Sequence, residues 1–456
     1  MLTLTDILRG SGGQLAGGHS GEVAFERAVI DSREVHDGDL FIALKGERVD
    51  GNDFVPHAIA NHAAGIISHR APGAIPNRLA YVQVPDTLKA LQDVGAYKLR
   101  QVDPLVIGIT GSVGKTSTKE AIAGALAQRH QVLKTERNLN TEIGVPLSLL
   151  RLEPRHDVAV LEMGMYVPGD IRFLAELTRP RIGVVTSVSH VHAERVGSIE
   201  RIAEAKAELV DHLPKDGIAV LNGDDPFCAA MAQRGKRSLL FGLGESCQVR
   251  TMAVRSRGLE GISLRIGYGG SEEDVDLKLL GRHSAYHALA AVAVMLSMDY
   301  SLAEAVASLA ASPMESLRLR IIEGRGGVTV IDDSYNSSPV AAKAALALLA
   351  EAGAGVQRAA VLGDMRELGT YSAELHREVG AEAASRASLV ITVGDEARLI
   401  AEGALAAGLP DDSVMATTDP QEAIDFLKPR LNAGDYLLIK GSRALGLETI
   451  VREFQS

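Results

Sequence analysis

An α/β protein of three domains is predicted, and three observations predict it. The chain has 456 residues, about three times the ~150 residues of an ordinary domain. Apolar runs of strand length alternate with helical stretches in two separate blocks, the pattern of parallel sheets covered by helices on both faces. Between 105 and 127 a strand, a glycine loop and a helix follow one another without a gap, the local layout of a P-loop ATPase-like sheet.

The elements follow in chain order. The first ~100 residues carry short elements and many turn signals, among them Gly17-Gly18, Asp37-Gly38 and Asp50-Gly51. Runs at 105–110, 158–163, 182–188 and 218–222 predict a central parallel sheet. The alternation Ile262, Leu264, Ile266 within 248–280 predicts a small antiparallel sheet beside it. Runs at 328–332, 361–363, 389–394 and 437–440 predict a second, Rossmann-like parallel sheet. Boundaries are expected just before Pro104 and Pro313, giving domains 1–102, 103–312 and 313–456.

Composition narrows the function. Hydrophobic residues at 46% and charged residues at 23% describe a globular protein. A net charge of −11 provides no overall field to draw the chain to nucleic acid or anionic lipid, so anions need local sites. The start, with Asp6 ahead of any basic residue and no extended apolar segment, does not read as an export signal. The longest unbroken apolar run, 288–296, is about half of the ~20 residues that span a membrane and suits a core helix. Cys228 and Cys247 lack paired spacing and read as free thiols of a reducing compartment. A cytoplasmic monomer with no membrane or nucleic-acid partner is expected.

The glycine loop is the most specific signal. Gly111, Ser112, Val113, Gly114, Lys115, Thr116 and Ser117 lead from the strand into a helix, which aims backbone N–H groups and the positive end of a helix dipole at an anion. Lys115 would reach the β and γ phosphates, and the Thr116 hydroxyl would face Mg²⁺. Only two residues separate the glycines, against four in the commonest form of the motif.

Two further residues stand out. Glu162 closes a buried-strand pattern at the C-terminal edge of the sheet, where such sheets bind ligands. Alone it reads equally as a solvated carboxylate; beside the phosphate loop it reads as a Mg²⁺ ligand. Lys206 lies on the apolar face of the helical stretch 199–213, four residues after Ile202 and three before Leu209. Its stem could snorkel to solvent, or its amine could sit beside phosphate or metal with a lowered pKa. His190 and His192 form an HxH pair that lacks the further ligands a zinc site needs.

These residues resemble the Mur ligases, ATP-dependent amide ligases of peptidoglycan precursor synthesis. The family's Thr-Gly-x-x-Gly-Lys-Thr loop is met at 110–116, its Asn-x-Asn segment by Asn138 and Asn140, and its metal-binding Glu by Glu162. The pattern His-x-Glu-x-x-Gly-Ser is met by His192, Glu194, Gly197 and Ser198, and Ala-Lys-x-Glu places the family's carbamylated lysine at Lys206. The segments at 332–339, 363–369 and 440–443 resemble the branch that adds D-alanyl-D-alanine. Asp31-Ser32-Arg33, Lys45-Gly46 and Asp50-Gly51 resemble its UDP-sugar domain. The family's two asparagines near adenine are replaced by Ser284 and His287, and Ser187 stands where Asn is usual.

The resemblance implies a reaction. ATP would activate the carboxylate of UDP-N-acetylmuramoyl-tripeptide as an acyl phosphate, which the amine of D-alanyl-D-alanine attacks. It implies one Mg²⁺ at Thr116 and Glu162, and a second at His192 and carbamylated Lys206. His287, Arg318, Asp333 and Asn336 would contact the nucleotide, although Arg318 also reads as a solvated linker charge. Ser32, Arg33, Lys45, Asp50, Asn138, Asn140, Thr141 and Tyr335 would contact the other substrates. A phosphate-loop switch protein is the reading from another class, but the Asn-Lys-x-Asp of a guanine switch is absent. A folylpolyglutamate synthetase, a cyanophycin synthetase or another Mur ligase is opposed by Asp-Asp-Ser-Tyr-Asn at 332–336 and by Ser32-Arg33.

Overall fold

The computed structural model describes residues 1–18, 21–71, 73–191, 193–313, 319–351 and 355–455. Three large sheets and a two-stranded one, Leu2–Thr3 with Ala24–Phe25, organise them. The central sheet has nine strands, and within it Leu105–Thr110 pairs in parallel with Val158–Glu162 on one side and Ile182–Val185 on the other. The chain therefore reverses its direction of sheet building around Leu105–Thr110, which opens a crevice at the carboxyl ends of these strands.

Period-two alternation explains why these runs are apolar throughout. Ile107, Ile109, Val158 and Val160 pack on one face with the helices Lys115–Leu126 and Ala285–Leu296. Val106, Ala159 and Leu161 pack on the other with Asp170–Thr178 and Ile199–Asp211. Both faces are buried, so neither tolerates polar positions. The 288–296 run belongs to the core helix Ala285–Leu296, and among the described residues no helix is long and apolar enough to cross a membrane.

The antiparallel strands expected in 248–280 form, as Val249–Ser256, Ile262–Tyr268 and Ser271–Leu277. They extend the central sheet rather than standing apart, because Val249 and Arg250 pair with Phe241 and Gly242 of the strand Arg237–Gly242.

The third unit holds six strands ordered Arg320–Glu323, Thr329–Asp333, Tyr436–Lys440, Arg358–Gly363, Leu389–Val393 and Val414–Thr417, parallel except for the first. In the first unit the parallel strands Ala28–Val29, Leu40–Ile42, Gly65–Ser68 and Ala80–Gln83 carry Gln14–Gly18 as an antiparallel edge. Its helix Thr87–Val102 packs on Gly144–Leu149 of the central unit so closely that a Cβ on Gly95 would meet Pro146 at 3.1 Å. Contacts between the third unit and the central one include a hydrogen bond and a ring contact. Ser256 Oγ donates to Glu351 at 2.5 Å, and elsewhere the His190 ring packs on Tyr371 with centroids 4.4 Å apart.

Candidate active site

The strand Leu105–Thr110 ends where the glycine loop begins, and the helix Lys115–Leu126 starts one residue after Gly114. That start is earlier than periodicity alone suggests, because Gly114 caps the helix in the left-handed region at φ 87°. The loop is held from behind by the chain after Ile182–Val185. Ser112 N donates to Ser187 O at 2.8 Å, Val113 N to Ser187 Oγ at 3.0 Å, and Thr186 Oγ1 to Val113 O at 2.7 Å. This use of 186–189 ends that strand at Val185, short of the 188 expected from hydropathy. A Cβ on Gly111 would lie 1.9 Å from Thr186 Oγ1, so the close approach requires glycine. Lys115 folds over the loop and donates to Gly111 O at 2.7 Å.

Glu162 sits one strand away and is 3% exposed. Asn140 Nδ2 donates to its Oε1 at 2.8 Å, and Thr135 Oγ1 accepts its backbone N–H at 3.0 Å. Lys119 Nζ lies 3.9 Å from Oε2, beyond hydrogen-bond reach, and donates instead to Thr135 O at 2.7 Å. Oε2 is thus buried without a hydrogen-bond partner. Such an orphan costs free energy unless a cation meets it, so Glu162 fits the donor chemistry of a divalent ion. Among the described residues no three His, Cys, Asp or Glu side chains gather as a preformed metal cage. A single carboxylate completed by phosphate oxygens is how Mg²⁺ is ordinarily held.

Lys206 points inward, at 1% exposure, from the helix Ile199–Asp211. Burial, and then the nearby Lys115 ammonium, push its amine well below the ordinary lysine pKa. Snorkelling is thereby excluded. Burial likewise pushes the adjacent Cys228 thiol up. Asp225 caps the helix Pro226–Ala230 and accepts from Val188 N at 2.7 Å, which steadies the loop leading to His190. His192 and Arg318 lie outside the described residues.

A cavity of about 780 Å³ opens beside the glycine loop, between the central and third units. Val113, Gly114 and Ser117 line one wall, and Asp333 and Lys440 another. Lys440, 2% exposed, donates to Asp333 Oδ2 at 2.5 Å and to Asn336 O at 2.9 Å, while Asp333 Oδ1 is buried without a hydrogen-bond partner. His283 faces this pair from the central unit, and burial, reinforced by Lys440 and opposed by Asp333, lowers its pKa to about 4. His287 lines the cavity while resting on the loop. Its Nδ1 is 3.0 Å from Thr118 Oγ1, and a Cβ on Gly114 would meet its ring at 2.9 Å. Asn336 contributes its carbonyl to Lys440 and caps Ser337 N with its side chain. Tyr335 is exposed beneath Arg443, whose Cζ is 5.8 Å from the ring centroid.

The residues expected to hold the UDP-sugar are engaged within the first unit. Arg33 forks onto Asp31 at 2.6–3.1 Å, and its hydrogen bonds hold that carboxylate at about pKa 2. Asp50 accepts from Asn52, which lowers its pKa to about 2, and from Arg70 at 2.5 Å. Ser32 is buried with Oγ 3.0 Å from His57 Nδ1, and Lys45 is exposed opposite Asp50. Asn138 is exposed, and Thr141 Oγ1 accepts from Gly144 N at 3.3 Å beside the crevice that leads to the first unit.

Sequence reasoning missed Thr118, Asn222, His283 and Tyr286, all of which line the cavity. Asn222 alone carried a signal, since it closes a strand at the ligand-binding edge.

Residues 109–295 match the Mur ligase middle domain, 317–443 the Mur ligase glutamate ligase domain, and 27–98 the Mur ligase family catalytic domain. The UDP-N-acetylmuramoyl-tripeptide–D-alanyl-D-alanine ligase of Bacillus subtilis is 33% identical over 99% of this chain and 98% of its own. This chain belongs to the Mur ligase family. The MurF ligase of Thermotoga maritima, solved in complex with ADP, superposes with a TM-score of 0.80 at 31% identity, covering 94% of this chain and 96% of that one. The Acinetobacter baumannii UDP-N-acetylmuramoylalanyl-D-glutamyl-2,6-diaminopimelate–D-alanyl-D-alanyl ligase gives 0.84 at 28% identity, covering 99% and 98%. The α/β architecture in three units, each built on a large sheet, is therefore that of this family.

Proposed function

We propose that this Mur ligase joins D-alanyl-D-alanine to UDP-N-acetylmuramoyl-tripeptide with hydrolysis of ATP to ADP and phosphate, as a cytoplasmic monomer. In this reading 1–102 hold the UDP-sugar, 103–312 the ATP and 313–456 the incoming dipeptide. The observation that carries it is one cavity shared by the glycine loop and the buried Asp333–Lys440 pair. The names of the full-length relatives point to the same substrates.

The tripeptide carboxylate attacks the γ-phosphorus, ADP leaves, and the dipeptide amine then displaces phosphate from the acyl phosphate. The residues work by positioning and electrostatics. Loop N–H groups and the helix dipole of Lys115–Leu126 hold the phosphates, and Lys115 neutralises charge as the phosphoryl moves. Mg²⁺, held by Glu162 and Thr116, would supply further charge neutralisation. Lys206 is the candidate for carbamylation, because burial lowers the pKa of its amine and so favours the unprotonated form that adds CO₂, giving an anion beside Lys115 and releasing a proton; with His192 it would serve the second Mg²⁺. Asp333 and Lys440 close the nucleotide side and help exclude water, which would hydrolyse the acyl phosphate.

The test is phosphate release from ATP and Mg²⁺ with the UDP-tripeptide, run with the dipeptide, with single amino acids and with no acceptor. Release that requires the dipeptide, and a product heavier by the dipeptide less water, is the expected outcome. Release with a single amino acid overturns the choice of acceptor.

A further inference from the structure

A substrate with a nucleotide at one end and the reacting carboxylate at the other must run from the first unit to the glycine loop. A crevice of about 280 Å³ lies on that route, with Gln92 from the helix Thr87–Val102 on one side and Thr141, Gly164 and Tyr166 on the other. Tyr166 follows Glu162 by four residues on the loop that leaves the same strand. Its ring is half exposed, and the Arg195 guanidinium stands over it with Cζ 5.3 Å from the centroid. Arg195 is 49% exposed, and its Nε lies 3.7 Å from Oε1 of Glu367 in the third unit. Glu367 occupies the left-handed region at φ 65°, and its carbonyl accepts from Glu194 N at 3.3 Å. A non-glycine residue holds that conformation only where its surroundings impose it, often at a functional site.

We propose that the rim made by Tyr166, Arg195 and Glu367 reads the far end of the tripeptide's third residue and selects 2,6-diaminopimelate over L-lysine. The proposal rests on the substrate reading above. The distal carbon of diaminopimelate carries a carboxylate and an ammonium, which match a guanidinium and a carboxylate set side by side. A lysine end carries the ammonium alone and brings a like charge to Arg195. The carboxylate takes a bidentate contact from Arg195, and the aliphatic stem lies against the Tyr166 ring. At 3.7 Å, with Arg195 49% and Glu367 26% exposed, the pair is a long surface contact that costs little to open toward substrate groups.

The full chain is assayed for dipeptide-dependent phosphate release with each UDP-tripeptide in turn. The native protein is expected to favour the diaminopimelate substrate by about tenfold or more in kcat/KM. Arg195→Gln lowers that value about ten- to a hundredfold, mainly through KM, and changes the lysine substrate by less than about twofold. Arg195→Lys recovers part of the loss. Equal use of both tripeptides by the native protein, or an equal loss on both in Arg195→Gln, overturns the selectivity and leaves the substrate reading intact. Failure of both tripeptides to accept the dipeptide overturns that reading and this inference with it.

Discussion

Asn140 Nδ2 donates to Glu162 Oε1 at 2.8 Å while Oε2 of the same carboxylate stays buried without a hydrogen-bond partner. The asparagine orients the carboxylate and leaves one oxygen for a cation. Glu162→Gln keeps the shape and removes the charge, so turnover should fall by about 10² or more, because a charge contact made in the transition state is lost. Asn140→Ala should instead raise the Mg²⁺ concentration needed for half-maximal rate, with a smaller loss at saturation. A Mg²⁺ titration of phosphate release separates the two, and an unchanged titration in both variants removes Glu162 from the metal site.

Lys206 gives the second prediction. Lys206→Ala should lower turnover by about 10² or more, with partial rescue by small carboxylates that replace a carbamate. Lys206→Met should remain folded with an undiminished melting temperature, since an apolar chain of similar length suits a fully buried position. Full turnover in either variant excludes Lys206 from the mechanism, and intact-mass measurement in bicarbonate checks the carbamate directly.

The Asp333–Lys440 pair is buried on both sides. Removing one partner leaves the other charge exposed to a low dielectric, so Asp333→Asn or Lys440→Met should each cost about 3–5 kcal/mol. The double variant should cost less than the sum. Denaturant unfolding of the four proteins measures the coupling, and simple additivity shows that the contact carries none.

His283 sets a pH dependence. Its folded pKa, lowered to about 4 by burial, lies below the unfolded value of about 6.5. The unfolded chain therefore binds more protons between those values, and stability falls as pH drops from about 6.5 to 4. The loss reaches up to about 3 kcal/mol. His283→Gln should flatten this slope in urea unfolding at pH 7 and pH 5. An identical slope in native and variant proteins assigns the dependence to other groups.

Gly111→Ala tests the support of the loop. A Cβ there would meet Thr186 Oγ1 at 1.9 Å with φ at 147°. The variant should lose about 1–3 kcal/mol of stability and weaken ATP binding. Isothermal titration with ATP checks the binding, and native affinity would show that the loop yields without cost.

Much of this protein is legible along the chain. The buried runs 105–110 and 218–222, the glycine loop with its helix, and the inward register of Lys206 all follow from neighbours within about ten residues, because periodicity and turn chemistry act locally. What the line of residues does not show is who meets whom across the folds. Ser187 supports Val113 from 74 positions away, and Lys440 reaches Asp333 across 107. His283 acquires its lowered pKa only through burial in the folded chain, beside Asp333 and Lys440 of the third unit. Such partners are selected by packing and desolvation, which exist only after the sheets have stacked; local patterns set the elements, and burial between them set the chemistry.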